Sequence, residues 1–167
     1  VPNRYLLESG AWSEEIELMK TAWDVCEDKQ GLDFAHLCNT HSCIETERGN
    51  TEKSLAMLDT AIEIRRRLLG DDHPELAHSY NNYANAILQA YATPQAAEEA
   101  IVFYLKAIAI DDKQPEDERL KVAYVRYLNI SRAYLILGNY ETALQYVDLG
   151  EKSVFSFFEP GSFLEGV

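Results

Sequence analysis

The sequence predicts an all-α fold of antiparallel helix pairs, and three observations carry that prediction. Good helix formers dominate the 167 residues, while Gly (8) and Pro (5) are sparse. No stretch alternates β-branched and polar residues as a half-buried strand would. Four segments also share one grammar: an amphipathic helix, a short turn, a second helix with small residues seven apart, and a polar break. With 47% hydrophobic residues, a chain this long can bury one continuous core, so a single domain over 1–167 is expected.

The elements follow in order. Ser13 before Glu14-Glu15 reads as a helix start, with carboxylates where the helix dipole favours them, and predicts a helix over 13–27. Together with Gly10, Trp12, Met19 and Ala22 it forms a partial first copy over about 1–30, in which Glu15 stands where a small residue is usual. The second copy, 31–70, has helices over 33–48 and 51–68, with Gly49, Ser54, Leu58 and Ala61 at the repeat positions. It ends in Leu68-Leu69-Gly70-Asp71-Asp72-His73-Pro74-Glu75, where Gly70 suits a helix cap and Pro74 the first position of a helix. The third copy, 71–112, spans helices 74–92 and 95–110; its marks are Tyr80, Tyr83, Ala84 and Ile87, then Ala100, Tyr104 and Ala107. Thr93-Pro94 and Gln114-Pro115-Glu116-Asp117 read as further helix starts.

The fourth copy, 113–154, is the clearest, with helices over 116–137 and 141–154. It runs Tyr127, Ile130, Ser131, Tyr134, Gly138, Tyr140, Ala143, Val147, Gly150. Gly138-Asn139-Tyr140 turns the chain, and Ala143 and Gly150 lie on one face of the second helix, where a neighbour can approach closely. Beyond it, 155–167 carries Phe155, Phe157, Phe158, Phe163 and Leu164, too aromatic for a solvated tail, and is expected to pack on the last helix or begin another repeat.

These spacings resemble the tetratricopeptide repeat. The equivalent residues Ala22, Ala61, Ala107 and Gly150 stand 39, 46 and 43 apart, longer than the basic repeat of roughly 34. Leu-Gly-Asp-Asp-His-Pro at 69–74 and Asn81-Asn82-Tyr83-Ala84 resemble the long repeats of kinesin light chains and of sensor regions in NACHT and NB-ARC signalling ATPases. The resemblance covers about residues 5 to 152. It implies a right-handed superhelical solenoid whose leading helices line a concave groove. It also implies a protein-interaction module that binds a peptide or helical segment there or, alternatively, an intramolecular regulatory domain of a larger signalling ATPase.

No enzyme signature is present: there is no phosphate-binding Gly-rich loop, nucleophile elbow or His-Glu-x-x-His motif, so neither catalysis nor a cofactor is expected. The cluster His36-Leu37-Cys38-Asn39-Thr40-His41-Ser42-Cys43 has zinc-type residues but not zinc-type geometry. On a helix, His36 and Cys43 point one way and Cys38 and His41 about 140° to 200° away, which places the latter two on or beside the packed face. Arg65-Arg66-Arg67 falls at a helix C-terminus, where cations complement the dipole or could meet an acidic group.

The resemblance puts groove residues on the leading helices. His36, Asn39, Thr40, Cys43 and Glu47 come from the second copy. His78, Asn81, Asn82, Asn85 and Gln89 come from the third, and Val125, Leu128, Asn129, Arg132 and Ile136 from the fourth. Asn39, Asn81, Asn82, Asn85, Asn129 and Arg132 are the strongest candidates. An Asn amide both donates and accepts, so it can hold an extended backbone, and Arg132 offers a fork to a carboxylate. The family's chaperone-tail clamp of two Lys, two Asn and one Arg is incomplete, since Asn39 and Val125 stand at lysine places.

The formal charge of −13 excludes nucleic acid as the expected partner, because phosphate binding needs a basic surface. A basic or neutral protein partner is compatible with it. No apolar run approaches the roughly 20 residues of a membrane span. Three cysteines point to reduced thiols and a cytoplasmic setting, and Val1-Pro2-Asn3-Arg4 reads as a fragment boundary. The oligomeric state is left open.

Overall fold

A computed structural model describes residues 17–18 and 21–157. The expectations for Gly10, Trp12, Glu15, Met19 and the aromatic segment beyond Phe157 lie outside the described residues. The chain is helical at 17–18 and over 21–25. Six longer helices follow: α1 (Leu32–Glu47), α2 (Thr51–Leu69), α3 (Pro74–Tyr91), α4 (Pro94–Asp111), α5 (Glu116–Ile136) and α6 (Tyr140–Phe157). The described residues contain no strand, and no helix among them is long and apolar enough to cross a membrane. The fold is the all-helical repeat that the sequence predicts, with helix ends close to those expected.

Local chemistry sets those ends. The Thr93 hydroxyl accepts from the Ala96 amide at 3.2 Å, and Pro94 begins α4 without needing a donor. Glu116, Asp117 and Glu118 occupy the first turn of α5, beside its positive dipole end. Gly49 and Gly138 turn the chain inside the second and fourth copies with φ of +78° and +72°. In both, the following Asn donates its amide to a carbonyl five residues back, Asn50 to Glu45 and Asn139 to Tyr134, each at 2.9 Å. This left-handed closure satisfies the last helical carbonyls and favours glycine.

The chain divides into two compact units, Val1–His73 and Pro74–Val167, and the division falls at the Gly70-to-Pro74 break between copies. In the first unit α1 packs on α2 around Phe34, Ala35, Cys38, Met57, Ala61 and Ile64, with Trp23 against Phe34. Ser54 replaces an apolar contact by donating its hydroxyl to the Ser42 carbonyl at 2.9 Å.

In the second unit each helix packs on the next, and α3 also touches α5. Its core holds Ala84, Leu88, Ala97, Ala100, Ile101, Tyr104, Ile130 and Ala133, with Tyr134 stacked on Tyr146. The repeat's small residues let these helices close: a Cβ at Gly150 would lie 3.4 Å from the Tyr124 ring and 3.6 Å from Tyr127 Cβ.

Candidate binding surface

The leading helices α1, α3 and α5 carry every candidate residue; Asn39 lies in the first unit and the other five in the second.

The α1 face divides as helical geometry requires. Cys38 and His41 are buried, while His36 and Cys43 are exposed, so the His/Cys cluster faces two directions. Burial pushes the Cys38 thiol up to about 11; Cys26 adds to the rise, and Lys29 and Arg65 oppose it. Asn39 is half-buried, and its carbonyl accepts from Ser42 Oγ at 2.7 Å. Beside the exposed face runs an open groove of about 910 Å³. Ala22 and Val25 form one wall, and Leu32, His36, Leu37 and Thr40 of α1 form the other. Leu32, His36 and Thr40, at four-residue steps, mark one helical face, which is the signal the sequence offers for this wall.

In the second unit the predicted asparagines do different things. Asn81 is buried, and its Oδ1 accepts from Asn129 Nδ2 at 3.0 Å. This pair joins α3 to α5, so Asn81 serves helix packing rather than an open wall. The reason is that Asn81 faces α5, where the Asn129 amide meets it and both polar groups find a partner. One turn earlier Arg126 Nη2 meets His78 Nδ1 at 3.2 Å. Both pairs are separated by the same 48 residues, as two parallel helices in register require. Arg126 also donates from Nε to Asp111 Oδ2 at 2.8 Å, with both side chains buried. Arg126 is a lone Arg amid apolar helix positions, which is the sequence signal of a buried ion pair.

Asn85 accepts at Oδ1 from the Tyr104 hydroxyl at 2.7 Å, which ties α3 to α4. Burial pushes the Tyr104 phenol well above its usual value, and the charge of Arg132 offsets part of the rise. Arg132 therefore lies near the Asn85–Tyr104 pair while remaining exposed. Asn82 is half-buried on α3. Along α5, Val125, Leu128, Asn129 and Arg132 fall at i, i+3, i+4 and i+7 and so share one face; Val125 is 52% exposed.

The arginine run at the end of α2 is engaged within the first unit. Arg65 is buried, Arg66 Nε lies 3.2 Å from Asp71 Oδ1, and Arg67 Nη2 donates to the Gln30 carbonyl at 2.6 Å. Among the described residues, no three His, Cys, Asp or Glu side chains gather as a metal site would need.

Comparison with protein families agrees with this architecture. One tetratricopeptide repeat family model matches residues 43–99, and a second matches 125–149. The chain belongs to the tetratricopeptide repeat superfamily. The first match spans parts of the second and third copies of the repeat, and the second lies within the α5–α6 pair. No curated protein matches the chain in sequence. Tetratricopeptide repeats are protein–protein interaction modules generally, and this chain is such a scaffold.

The second copy departs from its siblings in one place. Aligning Ser42, Ala84 and Ser131 sets His41 and Glu45 where the third copy has Tyr83 and Ile87 and the fourth has Ile130 and Tyr134. Glu45 is fully buried. Its Oε1 lies 2.7 Å from Lys53 Nζ, 3.3 Å from His41 Nε2 and 3.5 Å from Arg48, and its Oε2 accepts from Asn50 Nδ2 at 2.6 Å. Burial pushes the Glu45 carboxyl upward, but the hydrogen bonds from Lys53 and Asn50 and the charges of Lys53 and Arg48 outweigh it and hold it below its usual range. His41 Nδ1 is buried without a hydrogen-bond partner, and burial lowers the imidazole's proton affinity against the pull of Glu45.

Proposed function

We propose that this tetratricopeptide repeat chain holds a peptide or helical segment of a partner protein along the exposed faces of its leading helices. The observation that carries this reading is the α5 face. Val125 stands half in solvent beside Leu128, Asn129 and the exposed Arg132, in the unit whose Asn81 and Asn85 are already committed to the fold. An exposed apolar residue next to a guanidinium fork suits a ligand that brings both an apolar side chain and a carboxylate or backbone carbonyl. Asn82 on α3 supplies a further amide for the ligand backbone, and Asn129 retains acceptor capacity on its carbonyl.

Affinity capture from cell extract tests this with the wild-type chain and with Val125→Glu/Arg132→Glu. Both residues are exposed, so the double variant is expected to melt like the wild type by circular dichroism. Loss of the captured proteins with the fold retained supports the reading. An unchanged set of partners defeats it.

A further inference from the structure

The groove of the first unit has a chemistry of its own. Its walls are apolar: Val25 is 69% and Leu32 42% exposed, with Ala22 and Leu37 behind them. At about 910 Å³ it lies near the upper end of the roughly 300–1,000 Å³ range of ligand pockets. The described residues lining it include the carboxylates of Glu27, Asp28 and Asp33 and no Lys or Arg. Lys29, the cation of the adjoining turn, is directed away. Its ammonium donates to the Trp23 carbonyl and lies over the Trp23 and Phe34 rings at 5.5 and 5.0 Å from their centroids.

The groove's floor is also held in place before anything binds. Asp28 Oδ1 accepts from the Gln30 amide at 2.9 Å, the Gln30 carbonyl accepts from Arg67 of α2, and Gly31 permits the turn because a Cβ there would stand 2.6 Å from Asp28 Oδ2. A fixed turn costs less to order on binding.

From this geometry and charge we infer that the groove between residues 22–28 and the first half of α1 takes a basic, apolar peptide segment of a partner protein. One aliphatic side chain of the ligand would lie against Val25, Leu32 and Leu37, and flanking Lys or Arg would face Glu27, Asp28 and Asp33. The inference deepens the interaction-module reading and rests on it. Charge complementarity selects the occupant: an acidic ligand would meet three carboxylates across apolar walls that screen poorly, whereas a basic one neutralises them. The chain's excess of 28 acidic over 15 basic residues draws the same ligand toward the surface from a distance.

The test is fluorescence anisotropy with three dye-labelled nine-residue peptides. One has two central leucines flanked by arginines, the second replaces the arginines with glutamates, and the third replaces the leucines with serines. The first is expected to bind roughly ten-fold tighter than either counterpart. Glu27→Gln/Asp33→Asn should remove the preference over the glutamate peptide, and Leu32→Ser the preference over the serine peptide, each leaving the helical melting curve in place, and added salt should weaken binding.

Equal or tighter binding of the glutamate peptide overturns the inference, as does binding that neither variant disturbs. If no peptide binds here while Val125→Glu/Arg132→Glu still abolishes capture of partners, this groove proposal fails and the module reading stands. If both experiments are negative, both fail.

Discussion

Ala92 ends α3 with φ +41°, the one described residue other than glycine in the left-handed region. Its Cβ is strained there, and the sibling turns place Gly49 and Gly138 at comparable points. Ala92→Gly should raise stability by about 0.5–1 kcal/mol in chemical denaturation, strain relief outweighing the added freedom of the unfolded chain. His41 makes a second prediction at this scale. Its proton affinity is lowered in the fold, so on acidification the unfolded chain takes up a proton first, and stability falls as pH drops below the ordinary imidazole value of about 6.5. Glu45, also lowered, stays ionised until its own range: its contribution is present above the ordinary carboxyl value and is lost as pH falls through the folded one. Denaturation midpoints measured across this range should therefore decline in two stages. His41→Leu, which restores an apolar residue at that repeat position, should flatten the upper stage and leave the lower one. An unchanged upper stage would place the titration elsewhere.

Between elements, two polar pairs, His78–Arg126 and Asn81–Asn129, join α3 to α5. Arg126 holds Asp111 across α4 and α5 in a buried site, so Arg126→Ala leaves a carboxylate without its partner and should cost about 3–5 kcal/mol. Asn129→Ala strands the Asn81 amide and should cost about 1–3 kcal/mol. A double-mutant cycle on Asn81 and Asn129 checks the pairing, with a coupling energy of about 0.5–1.5 kcal/mol expected and a value near zero showing that the two amides act independently. The helices themselves were legible in the sequence because caps and turn glycines act within a few residues: Thr93-Pro94, Gly49 and Gly138 all mark ends found in the structure. Which Asn pairs with which was not, since Asn81 and Asn129 are 48 residues apart and only helix packing brings them together.

At the scale of the molecule, the second unit contains its own core and its own polar ties, including Arg126–Asp111, Asn81–Asn129 and Asn85–Tyr104. A fragment of residues 74–167 is therefore expected to be helical by circular dichroism and to melt cooperatively. A broad, non-cooperative melt would show that its order depends on the first unit. The net charge of −13 sets the sign of the ligand field over the chain without specifying where a ligand sits.

The helical class and the tetratricopeptide family are legible in the chain alone, because small residues seven apart and glycine turns are local rules that one chain segment can express. The sequence also separates the buried Cys38 and His41 from the exposed His36 and Cys43, since both sets lie on one helix of known pitch. Contacts between helices make Asn81 an internal strut, engage Arg65 to Arg67 in the fold, bury His41 and Glu45 as a polar centre, and set Val25 and Leu32 beside an acidic groove. Those outcomes depend on which side chains of separate helices meet, and burial then gives a polar group either a partner or a cost that no local pattern records.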